Sequence, residues 1–331
     1  MAEHWRAIRV SRPMEARDAP VRVELATVTD DVLMPGDVTI DVDHSSINYK
    51  DGLALAGRPG IVRVPGLIAG IDLVGVVTAS QSAAWKPGDR VLVNGCGLGE
   101  THHGGLAERA RVEADWLVPV PPSMSQRQAA AIGTAGFTAM LAVLALEKAG
   151  VQGDILVTGA AGGVGSVAIA LLSRLGNRVT AVTGRPDEEG YLRSLGAAEV
   201  LHRDEFSAPG RALQSQRWAG AVDSVGGDIL ANVLSQVRYG GLVAACGNAA
   251  SDSFTASMMP FILRSVTLAG INSVNTPRPL RLEAWQRLAS GLDLDLLDSL
   301  TTTLQLDGAI GAAARILDGG LRGRTVVATR T

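Results

Sequence analysis

The stretch "DILVTGAAGGVGSVAIALLSRLG", residues 154–176, decides how the chain reads. It opens on a short apolar strand, turns through Gly162, Gly163 and Gly165, and continues as an apolar helical segment. Glycines let a backbone turn sharply and approach a pyrophosphate, whose charge is favoured by the free amides and dipole at a helix amino end. Strand, glycine turn and helix are followed at the right distance by a second strand, "RVTAVTG" at 178–184, which points to a dinucleotide site. The same glycines would also serve a tight βα turn that binds nothing.

The end of that second strand names the coenzyme. An acid there would accept hydrogen bonds from the ribose hydroxyls and repel a 2′-phosphate, whereas the chain offers Thr183, Gly184 and Arg185. A guanidinium pairs with phosphate through charge-assisted bonds of about 1.5–3 kcal/mol, or roughly ten- to a hundredfold in affinity. The expected cofactor is therefore NADPH. The alternative is that Arg185 only solvates the start of the segment "PDEEG". Arg203, in "LHRDEF", is a second candidate phosphate contact.

Around this core, strand and helix alternate from residue 153: "DILVTG", "GSVAIALLSRLG", "RVTAVTG", "AEVLHR", "AGAVDSVGG", "GGLVAACG" and "SVTLAGI". Repeated βαβ crossovers imply a doubly wound parallel sheet covered on both faces. The first third is different: "VRVELATV", "DVTIDVDHSSI", "GLIAGIDLVGVVTAS" and "DRVLVNGCG" are β-branched runs between glycine and proline breaks, with no helical period. Ser125 and Gln128 form a candidate capping box that opens a long Ala/Leu-rich helix. A tail from 272 carries a polar helix and a last strand, "RTVVATR", able to rejoin the β-rich part. The expected architecture is α/β, with a catalytic domain from 1–125 and 272–331 and a Rossmann domain from 126–271.

Composition agrees with two cores in one chain: 331 residues, 47% hydrophobic, 39 glycines and only 4% aromatics. A net charge of -3 with mixed signs leaves no footprint for nucleic acid or an anionic membrane. Small-molecule partners are expected. Cys96 and Cys246 are far apart and outside any C-x-x-C spacing, which argues against a disulfide framework or structural zinc. The amino terminus lacks a signal-peptide core and the apolar run "AMLAVLAL" is too short to span a bilayer, so a cytoplasmic protein is expected.

Zinc needs thiolate, imidazole or carboxylate ligands that converge with one position open. The local candidates are Cys96, Glu100, His102 and His103 in "NGCGLGETHHGG", where adjacent histidines more often face solvent or line a substrate. No metal is expected. Without a Lewis acid, saturation of an already activated double bond is the more natural chemistry than oxidation of a plain alcohol.

The motifs "SSINYKDGLA", "GIDLVGVV", "KPGDRVLV", "GGLAERARV", "GTAGFTAM", "TGAAGGVGS", "WAGAVDSVGG", "YGGLVAACGNA", "MPFILRSVTLAGINSV" and "GRTVV" resemble the zinc-free, quinone-oxidoreductase-like branch of the medium-chain dehydrogenase/reductase superfamily. Within it they are most similar to NADPH-dependent acrylyl-CoA reductases. The resemblance runs from about residue 5 to the end and implies a GroES-like β-barrel domain with a Rossmann domain inserted. Where zinc-dependent relatives carry G-H-E, this chain has Gly70, Ile71 and Asp72, and "INYKD" holds no cysteine.

The resemblance also implies site residues. It sets Tyr49 at the nicotinamide end, Ala161, Gly162, Gly163 and Val164 under the pyrophosphate, and Thr183, Gly184 and Arg185 at the 2′-phosphate. Asn248, Ile262 and Ser273 are to line the cofactor, with Asp318 and Arg324 contributing from the tail. Glu199 stands where relatives carry a basic residue, which weakens a phosphate contact there. The implied reaction is hydride delivery to the β-carbon of acrylyl-CoA, giving propionyl-CoA. Tyr49 is the candidate proton donor or orienter, since a phenol keeps its proton at neutral pH. Asn48 is the candidate to position the carbonyl, and solvent could supply the proton instead. Lys50 and Asp51 are read as a surface pair. Quinone reduction, or NADPH binding with little turnover, are the competing functions, and a homodimer is the expected assembly.

Overall fold

The computed structural model describes residues 3–11 and 21–330. The described residues divide into two compact units: one takes in those up to Thr134 with Ser273–Ala289 and those from Leu297, the other Ala135–Asn272 with Ser290–Leu296.

In the first unit β1 (Trp5–Ser11) pairs antiparallel with β2 (Arg22–Val28). The strand β3 (Val38–Ser46) buries Val38, Ile40 and Val42 and leaves the residues between them half-buried, the period of a strand with one face on a core. A helix of about two turns, α1 (Tyr49–Leu55), follows, in the third that carries no helical period in sequence. It forms because Asn48 and Asp51 make a capping box, each satisfying the other's backbone amide. Next come β4 (Leu67–Ile68), β5 (Asp72–Ser80), β6 (Arg90–Asn94), β7 (Arg109–Val112) and β8 (Val118–Pro119). Both β5 and β7 pair with β3, and Leu73, Val77, Val91 and Val93 join its core. Helix α2 (Gln126–Lys148) starts with the expected Ser125–Gln128 box, the Ser125 amide donating to Gln128 Oε1 at 2.9 Å. Its path breaks at Gly133, whose φ of 48° and ψ of -159° leave Thr134 as the first amide of a new helical run. Among the described residues α2 alone is long and apolar enough to cross a bilayer, and 83% of its apolar window is buried inside the protein.

In the second unit β9 (Asp154–Val157), α3 (Gly163–Arg174), β10 (Arg178–Thr183), α4 (Glu189–Ser194), β11 (Ala197–His202), α5 (Asp204–Ser207), β12 (Trp218–Asp223), α6 (Gly227–Gln236), β13 (Val237–Ala245), α7 (Met259–Arg264) and β14 (Thr267–Gly270) alternate. All six strands are parallel, in the order β11-β10-β9-β12-β13-β14. This is the doubly wound order of a dinucleotide fold, whose switch point lies between the first and fourth strands, here β9 and β12.

The tail adds α8 (Arg278–Gly291), α9 (Leu294–Ser299), β15 (Thr301–Gln305), α10 (Ala309–Leu317) and β16 (Arg324–Ala328). The last strand pairs antiparallel with β3 and parallel with β15, so the carboxyl end completes the first unit's sheet.

Candidate functional site

In the second unit the glycine turn leaves the carboxyl end of β9 and enters α3, whose first-turn amides, those of Gly163, Val164 and Gly165, have no acceptor within the helix. Ala161 is buried and the neighbouring glycines half-buried. Across from them Thr183 ends β10, and its Oγ1 accepts the Arg185 amide at 3.1 Å. The Arg185 guanidinium donates to the Ala161 carbonyl at 3.3 Å and lies 3.8 Å from Glu188. From the other side, the amide of Arg203 donates to the Thr183 carbonyl at 2.9 Å. Its side chain lies so close to Gly184 that a Cβ there would meet Arg203 atoms at 2.5–2.7 Å. Two guanidinium groups thus bracket the end of β10, beside the turn from Ala161 to Val164. These residues suit a pyrophosphate on helix amides and a 2′-phosphate between arginines.

Glu199 plays no part in this. Its register partner is Thr180, three residues before the strand end, and its carboxylate lies 3.7 Å from Arg178. The residue level with Thr183 is His202, and Arg203 follows it. Asn248 is exposed on the loop after β13, and Ile262 sits on α7 with 63% exposure. Sequence reasoning missed Asp223, at the end of β12. Its fully buried carboxylate accepts from Thr158 Oγ1 at 2.6 Å and from the Gly226 amide at 2.9 Å, tying the two switch-point strands together. Burial pushes this carboxyl up. The Cys246 thiol donates to the Asp223 carbonyl at 3.2 Å, and burial pushes it up to about 12, which leaves it unreactive.

In the first unit Tyr49 is the first residue of α1 and half-buried. Around its base lies a closed polar cluster. Asp72 is fully buried and accepts from Ser46 Oγ at 2.6 Å, Asn48 Nδ2 at 2.8 Å, Asn94 Nδ2 at 2.8 Å and Thr134 Oγ1 at 2.5 Å. It also accepts the Thr134 amide at 2.9 Å, and so caps the helical run that the Gly133 break exposes. Asp51 is fully buried too, and accepts the amides of Asn48 and Ile71 at 2.8 and 2.9 Å. Burial, and then the charge of Asp72, raise its carboxyl to about 7 despite these donors.

Several expectations change here. Asn48 is buried and its carboxamide has partners at both ends: its nitrogen donates to Asp72 at 2.8 Å and its oxygen accepts from Arg324 at 3.4 Å. Arg324 lies in the interior, not at the surface. It is 2% exposed, and its guanidinium serves Ala131 O, Ser46 Oγ and Asn48 Oδ1. Asp318 is exposed at the end of α10. Ser273 is half-buried, its carbonyl accepting from Arg281 at 3.1 Å. Lys50 and Asp51 do not pair: Lys50 reaches Glu100 at 2.8 Å while Asp51 turns inward. His102 and His103 are staples, not lining residues. His102 stands between the carbonyls of His103 and Pro35, and His103 accepts the Ile68 amide while facing the Val32 carbonyl. Among the described residues no three His, Cys, Asp or Glu side chains converge on a metal position.

Residues 34–122 match the alcohol dehydrogenase GroES-like domain, and residues 163–290 match the zinc-binding dehydrogenase family. Over 317 residues, 95% of this chain and 98% of the other, it is 49% identical to a protein of Escherichia coli strain K12 named probable acrylyl-CoA reductase AcuI. It is 47% identical over 327 residues, 98% of each chain, to acrylyl-CoA reductase AcuI of Ruegeria pomeroyi. It also superposes on the crystal structure of E. coli K-12 YhdH with bound NADPH at a TM-score of 0.95 and 47% identity, covering 98% of this chain and 100% of that one.

Proposed function

We propose a function from one premise: the chain belongs to the medium-chain dehydrogenase/reductase family, with a GroES-like domain and a Rossmann-like domain. It is an NADPH-dependent oxidoreductase acting on a CH–CH group, and it reduces the conjugated double bond of acrylyl-CoA to give propionyl-CoA. The observation that carries the coenzyme choice is the pair of guanidinium groups, Arg185 and Arg203, on either side of Gly184. NADPH, when bound, supplies the hydride.

The protein's own residues do the rest. Helix α3 offers its first-turn amides to the pyrophosphate, and Arg185 with Arg203 selects the phosphorylated ribose. Tyr49 directs its hydroxyl at the thioester oxygen, where negative charge develops as the β-carbon is reduced, or passes its proton toward the α-carbon. Turnover is metal-free on this reading: Glu100 is held by Lys50, His102 and His103 face backbone carbonyls, and burial pushes the Cys96 thiol up, away from the thiolate a metal needs. The enzyme works in the cytoplasm as a homodimer. Its edge strand β14 is preceded by the exposed side chains of Phe254, Met258, Met259, Ile262 and Leu263, an apolar face suited to a second copy.

An acceptor panel tests the reading: acrylyl-CoA, crotonyl-CoA and a quinone, each with NADPH and NADH, with and without a chelator. Fast NADPH oxidation by acrylyl-CoA, indifferent to chelation and slow with quinone, is expected. Preference for the quinone, or tight NADPH binding without oxidation, would replace it by the competing functions. Tyr49→Phe in single-turnover hydride transfer is expected to slow the step by about tenfold or more, and an unchanged rate would remove Tyr49 from the chemistry.

A further inference from the structure

Arg324 opens the last strand and is 2% exposed. A guanidinium withdrawn from water is strongly unfavourable unless its donors are met. Here they reach three separate segments: Ala131 O at 2.5 Å, two residues before the Gly133 break; Ser46 Oγ at 3.0 Å, at the end of β3; and Asn48 Oδ1 at 3.4 Å, the cap of α1. Asp72 meets two of the same groups from the opposite side, accepting from Ser46 Oγ and from Asn48 Nδ2.

The carboxamide of Asn48 is therefore held at both ends by opposite charges. Turning it over would set its NH2 against the guanidinium and its oxygen against the carboxylate, so only one orientation survives. Its backbone amide is fixed as well, by Asp51. Tyr49 is the next residue. A helix of seven residues does not hold its own geometry in water, so the direction in which Tyr49 leaves the chain depends on this anchorage.

We propose that Arg324 is a positioning residue for the reduction: opposite Asp72 it locks the Asn48 carboxamide and thereby aims Tyr49, without itself contacting the coenzyme. The proposal rests on the role given to Tyr49 above.

Full-length Arg324→Lys and Arg324→Ala are compared with the wild type by NADPH titration, steady-state reduction of acrylyl-CoA, and hydrogen–deuterium exchange. A lysine keeps the charge but cannot span three acceptors in one plane. In Arg324→Lys, kcat is expected to fall about tenfold while the Kd for NADPH stays within about twofold. Exchange over residues 46–56 should quicken about tenfold, with residues 154–176 unchanged. In Arg324→Ala, guanidinium ion well below denaturing concentrations should restore part of the rate, and sodium chloride should not.

A kcat within about twofold of wild type in Arg324→Lys overturns the proposal. So does a weakened NADPH Kd with saturated turnover intact, which would make Arg324 a coenzyme contact. Should Arg324→Ala not fold, the lysine variant decides alone. The exchange measurement needs no substrate: if the wild type failed to reduce acrylyl-CoA, the function would be wrong, while unchanged exchange over 46–56 would sink the positioning role separately.

Discussion

Gly184 is small for the sake of a neighbour. A methyl group there would fall 2.5–2.7 Å from the side chain of Arg203, the mobile end of which can swing aside at little cost to the fold. Gly184→Ala is therefore expected to leave the melting temperature unchanged and to raise the Kd for NADPH about tenfold, with NADH binding unaffected. Titration of both coenzymes by fluorescence checks this. That Thr183, Gly184 and Arg185 stand at a strand end beside the glycine turn is legible in the sequence, because the β-branched run stops there. Arg203 was harder to weigh, since its role depends on the register that sets Thr183 level with His202. The partners of Asn48 are hidden from sequence for a related reason: Asp72 and Arg324, which hold the two ends of its amide, lie far along the chain.

Among the elements, the break in α2 carries the heaviest constraint. Gly133 has φ 48° and ψ -159°, and a Cβ there would come within 2.6 Å of Asp72 Oδ2 and 2.8 Å of Arg324 Nη2. Gly133→Ala combines backbone strain with crowding of two buried charges, and is expected to destabilise the protein by about 2–4 kcal/mol, read as a lower midpoint in urea. The sequence "AAAIGTAGFTAM" keeps a helical, small-residue composition straight through this point, so periodicity gives no sign of the break. The opposite happened with α1, which is too short to show a period. Its local signal was the spacing of Asn48 and Asp51, a capping box without a serine or threonine. The strands were the easy part, because alternation in β3 and the β-branched runs of the parallel sheet report burial residue by residue.

At the scale of the whole molecule, buried carboxyls set how stability follows pH. Asp51 has its carboxyl raised from 3.8 to about 7, chiefly by burial and then by the charge of Asp72. A group that binds its proton more tightly when folded stabilises fully below the unfolded value and loses that contribution as pH rises through the folded one. Asp51 accordingly stabilises most in acid, and its contribution fades between about pH 4 and 7. Burial lowers His44 and His103, whose contributions run the other way, being lost as pH falls below the ordinary imidazole range. The clean test is a difference: the wild type's advantage in melting temperature over Asp51→Asn should shrink from about pH 5 to about pH 7.5. A constant difference would mean that Asp51 is ionised throughout. The parallel sheet was foreseeable from alternation along the chain, since each βαβ unit is local. The polar cluster was not, because it joins groups as far apart as Ser46 and Arg324, 278 residues away, and only folding brings them together.

The contact between Arg185 and the Ala161 carbonyl bears on any attempt to convert the enzyme to the unphosphorylated coenzyme. Redesign would ordinarily begin by exchanging Arg185 for an acid, yet that would also take away the prop under the turn that both coenzymes need, and introduce repulsion with Glu188 beside it. Arg203 contributes charge without bracing that turn, so a library built around position 203 is the better starting point for an NADH-using variant.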